Sequence, residues 1–96
     1  MYTVYAIRSF VTGRIYIGQT KDLEGRLREH NAGGVRSTKK DRPWELYAWQ
    51  RFMRRKEAMY VEWKIKRSKG LREKWIDENK AGPSSVVIGS IGAYGS

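Results

Sequence analysis

Five residues in this chain have the type and spacing to do chemistry: Tyr5, Tyr16, Arg26, His30 and Glu62. Arg26 and His30 stand four apart in KDLEGRLREHN, so a helix puts them on one face. Such a pair can hold a phosphate, the arginine by bidentate contact and the histidine by hydrogen bond or proton transfer. The ordinary alternative is a solvated basic face. Glu62 lies in RRKEAMYVEWKIKR. Measured from Ala58 at 100° per residue, Val61 falls near roughly 300° and Ile65 near roughly 340°, while Met59 and Trp63 fall near roughly 100° and 140°. Glu62 falls near roughly 40°, inside that apolar arc. A carboxylate there is costly to desolvate unless it is paired or binds a metal. Lys66, four residues on, offers the pairing; one divalent cation is the other reading.

Tyr5 and Tyr16 belong to two adjacent candidate strands, and whether they meet depends on register. An odd sum of paired residue numbers puts both on one face, as when Val11 pairs with Arg14 around Thr12–Gly13; an even sum separates them. Asn79 follows Leu71 and Trp75 at four-residue steps, so it extends what reads as the inner stripe of the last helix. It can also be a C-terminal cap. If the helices pack on one sheet face, these groups converge. Glu62 would then hold one Mg²⁺ through oxygen, with water completing the shell. The metal and Arg26 would stabilise charge on a phosphate. A nearby cation would lower a tyrosine pKa from its normal value of about 10 and let it deprotonate water.

The elements that must position these groups are legible. YTVYAIR (2–8) reads as a strand, FVTG as a turn with Gly13 free to take positive φ, and RIYIG as a second strand, giving a hairpin. KDLEGRLREHN reads as a helix capped by Thr20 or Asp22 and stopped by Asn31 and Gly33–Gly34. Its Gly25 costs about 1 kcal/mol relative to alanine. A basic loop, 32–43, precedes the strand WELYAWQRF (44–52), whose bulky groups on both sides predict a place between layers. Helices follow over 54–67 and from Leu71 to Asn79, separated by a break at Lys69–Gly70. The order ββαβαα predicts an α/β (α+β) sandwich with a small sheet flanked by helices. Residues 1–80 form the expected domain and 81–96 a loose tail, in which Val86–Ile88 is a candidate short strand.

The chain has 96 residues, enough for one domain with one modest core. Twenty Lys and Arg against ten Asp and Glu give a net charge of +10, which points to an anionic partner, nucleic acid before membrane. The absence of cysteine excludes disulfides and thiolate metal sites. The apolar run of MYTVYAIR is too short for a signal peptide, and no stretch approaches the roughly 20 apolar residues of a spanning helix. The cytoplasm is the expected location.

Thr3-Val4-Tyr5, Tyr16-Ile17-Gly18, GQTKDLEGRLREHN, RPWELYAWQRF and KEAMYVEWKIK follow one another in a familiar order. The chain resembles the GIY-YIG endonucleases, most closely the small stand-alone bacterial type, over about Tyr2 to Lys80. The resemblance implies a central three-stranded antiparallel sheet flanked by helices and metal-dependent cleavage of phosphodiesters, with Mg²⁺ or Mn²⁺ as the cation. It implies Tyr5 as general base or positioner of the attacking water, Tyr16 as its neighbour orienting water or phosphate, and Arg26 as phosphate stabiliser. His30 would assist or transfer a proton, and Glu62 would bind the metal. Gly18 would leave room for the backbone to meet helix or substrate, and Asn79 would match a late asparagine. Thr3 stands where the signature has glycine, and Gln19 where the excision-repair members have lysine. The implied substrate is DNA, branched or damaged DNA among the candidates, contacted by Arg36, Lys39, Lys40 and Arg42. A protein partner is one source of site selection, and a monomer is expected. The alternative is a non-catalytic nucleic-acid-binding module with the same fold.

Overall fold

In YTVYAIRS every residue from Thr3 to Ile7 is buried, although side chains alternate between two faces along a strand. Such a run belongs in the middle of a sheet covered on both sides. The computed structural model, described here for residues 1–82, shows that arrangement. β1 (Tyr2–Ser9) lies between β2 (Ile15–Thr20) and β3 (Trp44–Phe52) in an antiparallel sheet of order β2-β1-β3. Three helices complete the ββαβαα order: α1 (Leu23–Ala32), α2 (Arg55–Arg67) and α3 (Lys69–Glu78). None of them is long and apolar enough to cross a membrane.

The hairpin pairs Tyr5 with Gly18 and Ile7 with Tyr16, so the paired numbers sum to an odd value and both tyrosines share a face. The turn is not the one built on a Val11–Arg14 pair. The Ser9 amide donates to the Arg14 carbonyl, and the Ser9 hydroxyl accepts from the amides of Val11 and Thr12. Phe10 to Gly13 form the loop, with Gly13 at φ 76°.

The sheet has two cores. On one face Tyr5, Ile7, Trp44 and Leu46 meet Leu27 of α1. On the other, Val4, Ala6, Ile17 and Ala48 meet Ala58 and Ile65 of α2 with Trp75 and Ile76 of α3. The register of β1 and β3 shifts between Ala6 and Ile7, and Tyr47 is the extra residue. This lets Tyr47 and Ala48 both serve the second core while Trp44, Leu46 and Trp49 serve the first. β3 therefore has layers on both faces, as its bulky residues predict, although it is an edge strand. Its outer edge is covered in turn by the chain leaving α3: Trp49 N donates to Asn79 O, and Ala81 N to Tyr47 O.

The helix ends follow from side chains. Asp22 caps α1 by accepting from the Gly25 amide, and the Thr20 hydroxyl accepts from the Asp22 amide. Gly33, in the left-handed region, closes the other end. The break between α2 and α3 lies at Ser68, not at Lys69–Gly70, which are already helical. Ser68 has extended backbone, ends α2, and accepts from the Leu71 amide to start α3. Leu71 is exposed rather than part of an inner stripe; α3 buries Trp75 and Ile76 instead. The candidate strand Val86–Ile88 lies outside the described residues.

Candidate active site

Tyr5 sits at the centre of β1 with its ring laid over Gly18 on β2. A Cβ added at Gly18 would stand 2.5 Å from Tyr5 Oη and 2.7 Å from Cζ. Gly18 thus makes room for the tyrosine ring itself, not for a helix or a substrate. The Tyr5 hydroxyl lies 2.8 Å from His30 Nε2, and His30 Nδ1 lies 2.7 Å from Thr38 Oγ1. Thr38 Oγ1 in turn lies 3.3 Å from the Val35 carbonyl, which can only accept. One set of proton positions satisfies the whole chain: Thr38 donates to Val35, His30 Nδ1–H to Thr38, and Tyr5 to His30 Nε2. All three side chains are buried.

Burial sets their protonation. Desolvation pushes the Tyr5 phenol up to about 12, against the opposing pull of Arg26. The expectation that a cation lowers this pKa is therefore not met at rest: the phenol stays neutral because the cost of an unsolvated phenolate exceeds the attraction of the guanidinium. Desolvation, assisted by Arg26, pushes His30 down to about 4, so the imidazole is neutral too.

Tyr16, half-buried, places its ring 6.5 Å from that of Tyr5 and 5.1 Å from that of His30, the latter edge to face. Arg26 reaches over the same group. Its guanidinium is close enough to the Tyr5 hydroxyl to oppose the rise of the Tyr5 pKa and, at 2.9 Å, it donates to the Glu29 carboxylate. Arg26 and His30 do lie on one face of α1. They do not jointly face solvent, because His30 is fully buried behind Tyr5 while Arg26 is half-buried in front of it.

Glu62 reaches this cluster from the other side of the sheet. α1 packs on one face and α2 and α3 on the other, so the helices flank the sheet as expected, and the one-face packing on which convergence was made conditional does not occur. Convergence occurs around β2, which is an edge strand. A depression of about 480 Å³ is lined by Gln19, Thr20, Asp22, Gly25, Arg26 and Glu29. A second of about 360 Å³ shares Gln19 and Thr20 and adds Tyr2, Lys21, Arg55 and Glu62. The Glu62 carboxylate is near enough to push the Tyr5 pKa upward. Its arc is also revised: Ala58 and Ile65 are buried, but Met59 and Trp63 are exposed, so Glu62 stands at the border of the apolar stripe. One oxygen accepts from Gln19 Nε2 at 3.0 Å and the other meets Lys66 Nζ at 2.9 Å.

The donor set suits a hard cation held by few protein ligands. Glu62 supplies carboxylate oxygen, and among the described residues no group of three or more His, Cys, Asp or Glu forms a closed metal cage. A divalent ion held by one carboxylate, with water and phosphate oxygens completing the shell, fits such a site.

Asn79 is not brought to the cluster. Its amide donates to the Trp75 carbonyl, closing α3, and its backbone lies on the outer edge of β3, two strands from β2. Arg36, Lys39, Lys40 and Arg42 are exposed in the loop after α1. Asn31 fixes that loop by a double hydrogen bond to the Trp44 backbone, and the Trp44 indole donates to Thr38 O. Thr38 and Glu29 were the site residues missed by sequence reasoning. Thr38 read as one polar residue of a basic loop, and Glu29 as one of many charges on α1.

Residues 1–78 match the GIY-YIG catalytic domain. A UPF0213 protein of Bacillus pumilus is 44% identical over 55 residues, 56% of each chain. The UPF0213 protein YazA of Bacillus subtilis is 35% identical over 75 residues, 76% of each chain. The structure-specific endonuclease subunit slx1 of Schizosaccharomyces pombe is 36% identical over 66 residues, which span 65% of this chain and 24% of that protein. The central sheet, the paired tyrosines on its hairpin and the match over nearly all described residues agree: the chain belongs to the GIY-YIG nuclease family.

Proposed function

We propose that this chain is a divalent-metal-dependent endonuclease that hydrolyses phosphodiester bonds in DNA, with branched or damaged DNA as its substrate class. The reading places it in the cytoplasm as a monomer, with a protein partner as the source of any site selection. The observation that carries it is the Tyr5–His30–Thr38 chain of hydrogen bonds ending beneath Arg26 at the β2 edge, with Glu62 on the far wall.

Tyr5 has no exposed surface at rest. Arg26 must therefore turn from Tyr5 and Glu29 toward an entering phosphate, which both uncovers the phenol and gives the phosphate a bidentate partner. Water then attacks phosphorus. Its proton goes to Tyr5 Oη as the phenolic proton passes to His30 Nε2, leaving an imidazolium whose Nδ1–H still donates to Thr38. The P–O bond to the leaving oxygen breaks, and that oxygen takes a proton from solvent. An anionic phosphate in the cleft favours the imidazolium that the resting site disfavours. Tyr16 orients the water or phosphate beside Tyr5. A divalent cation held by Glu62 would supply charge neutralisation at the phosphate oxygens. Arg36, Lys39, Lys40 and Arg42 hold the DNA backbone beyond the cleft.

The test incubates the folded chain with labelled duplex, branched and single-stranded DNA in Mg²⁺ or Mn²⁺. Cleavage that is lost in Tyr5→Phe and in Glu62→Ala supports the reading. Salt-sensitive binding without cleavage of any substrate overturns it in favour of a non-catalytic module.

A further inference from the structure

Three large side chains on the outer face of α2 stay in solvent: Met59, Tyr60 and Trp63 are 48%, 60% and 56% exposed. The rings of Tyr60 and Trp63 belong to neither core of the sheet. They stack on each other, with centroids 6.3 Å apart and planes inclined by 26°. A cation accompanies each: Lys64 Nζ lies 5.3 Å from the Tyr60 centroid, and the Arg67 guanidinium 5.0 Å from that of Trp63. Cation–π pairs at four-residue spacing give the helix a little stability. They do not account for two large aromatics left out of the core on a single helical face.

Flat rings interleaved with cations complement a polyanion that carries flat bases. Duplex DNA keeps its base faces stacked inside, whereas an unpaired strand offers them. The platform shares α2 with Glu62 but lies further around it: Trp63 is about 100° from Glu62 about the helix axis and Tyr60 about 160°, so a strand reaching it must pass from the Glu62 wall over the flank of the helix. We infer that Tyr60 and Trp63, with Lys64 and Arg67, form a binding site for unpaired DNA, the rings stacking on bases and the cations holding flanking phosphates. The site rests on the endonuclease reading for its purpose: it would hold a single strand that leaves the cleft along α2.

The experiment measures binding in EDTA, without metal and without cleavage. The full chain is titrated into labelled single-stranded DNA, the matching duplex and the matching RNA, and anisotropy is followed. A Tyr60→Ala, Trp63→Ala double variant should lose single-strand affinity by roughly ten-fold or more, with duplex affinity nearly unchanged. Trp63→Phe keeps a ring and should retain most of the affinity. In the intact chain the single strand should quench part of the tryptophan emission; because the chain has four tryptophans, that part is assigned to Trp63 by its loss in Trp63→Phe.

Equal losses on single strand and duplex, no loss on either, or absent quenching overturn the proposal; unchanged affinity for every nucleic acid assigns the patch to a protein partner. Tighter binding of RNA than of DNA overturns the choice of ligand. The two readings fail separately. A chain that cleaves nothing can still pass this assay, and an active nuclease can fail it.

Discussion

The Tyr5 hydroxyl and His30 Nε2 stand 2.8 Å apart in a buried site, where desolvation keeps both neutral. Tyr5 fills the acceptor position of the imidazole, and burial pushes His30 down to about 4 from an ordinary 6.5. That difference makes folding depend on pH. Between these two values the unfolded chain binds a proton that the folded chain does not, so acid favours unfolding. Stability is full above the ordinary value and is lost as pH falls toward the depressed one. The slope is about 1.4 kcal/mol per pH unit, and the total about 3 kcal/mol. Urea titrations of the wild type and His30→Gln across this range test it. The wild type should weaken on acidification while the variant holds steadier. Parallel slopes would show that His30 is not the group responsible.

Thr38 holds the other end of the imidazole and fixes which nitrogen carries the proton. Thr38→Val keeps the shape and removes the acceptor for Nδ1–H. We predict about ten-fold slower turnover of DNA with little change in KM, because no substrate contact is lost. Thr38→Ser should recover most of the rate. A rise in KM with normal turnover would assign Thr38 to binding instead.

Gly18 is fixed by sterics rather than by backbone angle. Its added Cβ would collide with Tyr5 Oη and Cζ, and the Tyr5 ring cannot retreat because His30 holds its hydroxyl. Gly18→Ala should cost about 1–3 kcal/mol in urea unfolding, the usual penalty of overpacking. The double variant Gly18→Ala, Tyr5→Phe frees the ring from its hydrogen bond and removes one clashing atom. It should therefore be less destabilised than the sum of its parts. Strict additivity would show that the two residues do not meet.

The fold was readable because its local signals agree with its tertiary needs. The continuous burial of Thr3–Ile7 follows from a run of β-branched, aromatic and small side chains without a charge, and Asp22 caps α1 where a capping residue was expected. The site was half readable. Arg26 and His30 share a helix face by spacing alone, but spacing could not show that one lies in front of Tyr5 and the other behind it. The helix arc of Glu62 suggested a buried carboxylate. It could not show that Gln19, from a strand 43 residues away, completes its surroundings. Thr38 was beyond reach, because its role depends on how Asn31 and Trp44 fold the loop back over α1. Of the two readings of Asn79, inner stripe or C-terminal cap, the structure takes the cap. Four-residue periodicity placed it with Leu71 and Trp75, yet the helix turns Leu71 to solvent and uses the Asn79 amide as its own cap.

On the proposed reading a divalent cation must compete with Lys66 for Glu62. The ammonium lies 2.9 Å from one carboxylate oxygen, and the Gln19 amide lies 3.0 Å from the other, so both oxygens already have donors. A metal ion must displace at least the lysine, which is half-exposed and free to swing into water. Removing its charge while keeping much of its length, in Lys66→Met, takes away the competitor and leaves the ligand. Half-saturation by Mn²⁺, followed by the loss of its free-ion resonance signal, should then occur at several-fold lower concentration. The i,i+4 pair is exposed enough that stability should change by less than about 0.5 kcal/mol. Glu62→Gln should abolish the Mn²⁺ response in both backgrounds, because an amide oxygen lacks the charge a hard cation requires. If Lys66→Met leaves Mn²⁺ affinity unchanged while Glu62→Gln abolishes it, the lysine is a bystander. If neither change matters, the cation binds elsewhere and Glu62 serves only its hydrogen bonds.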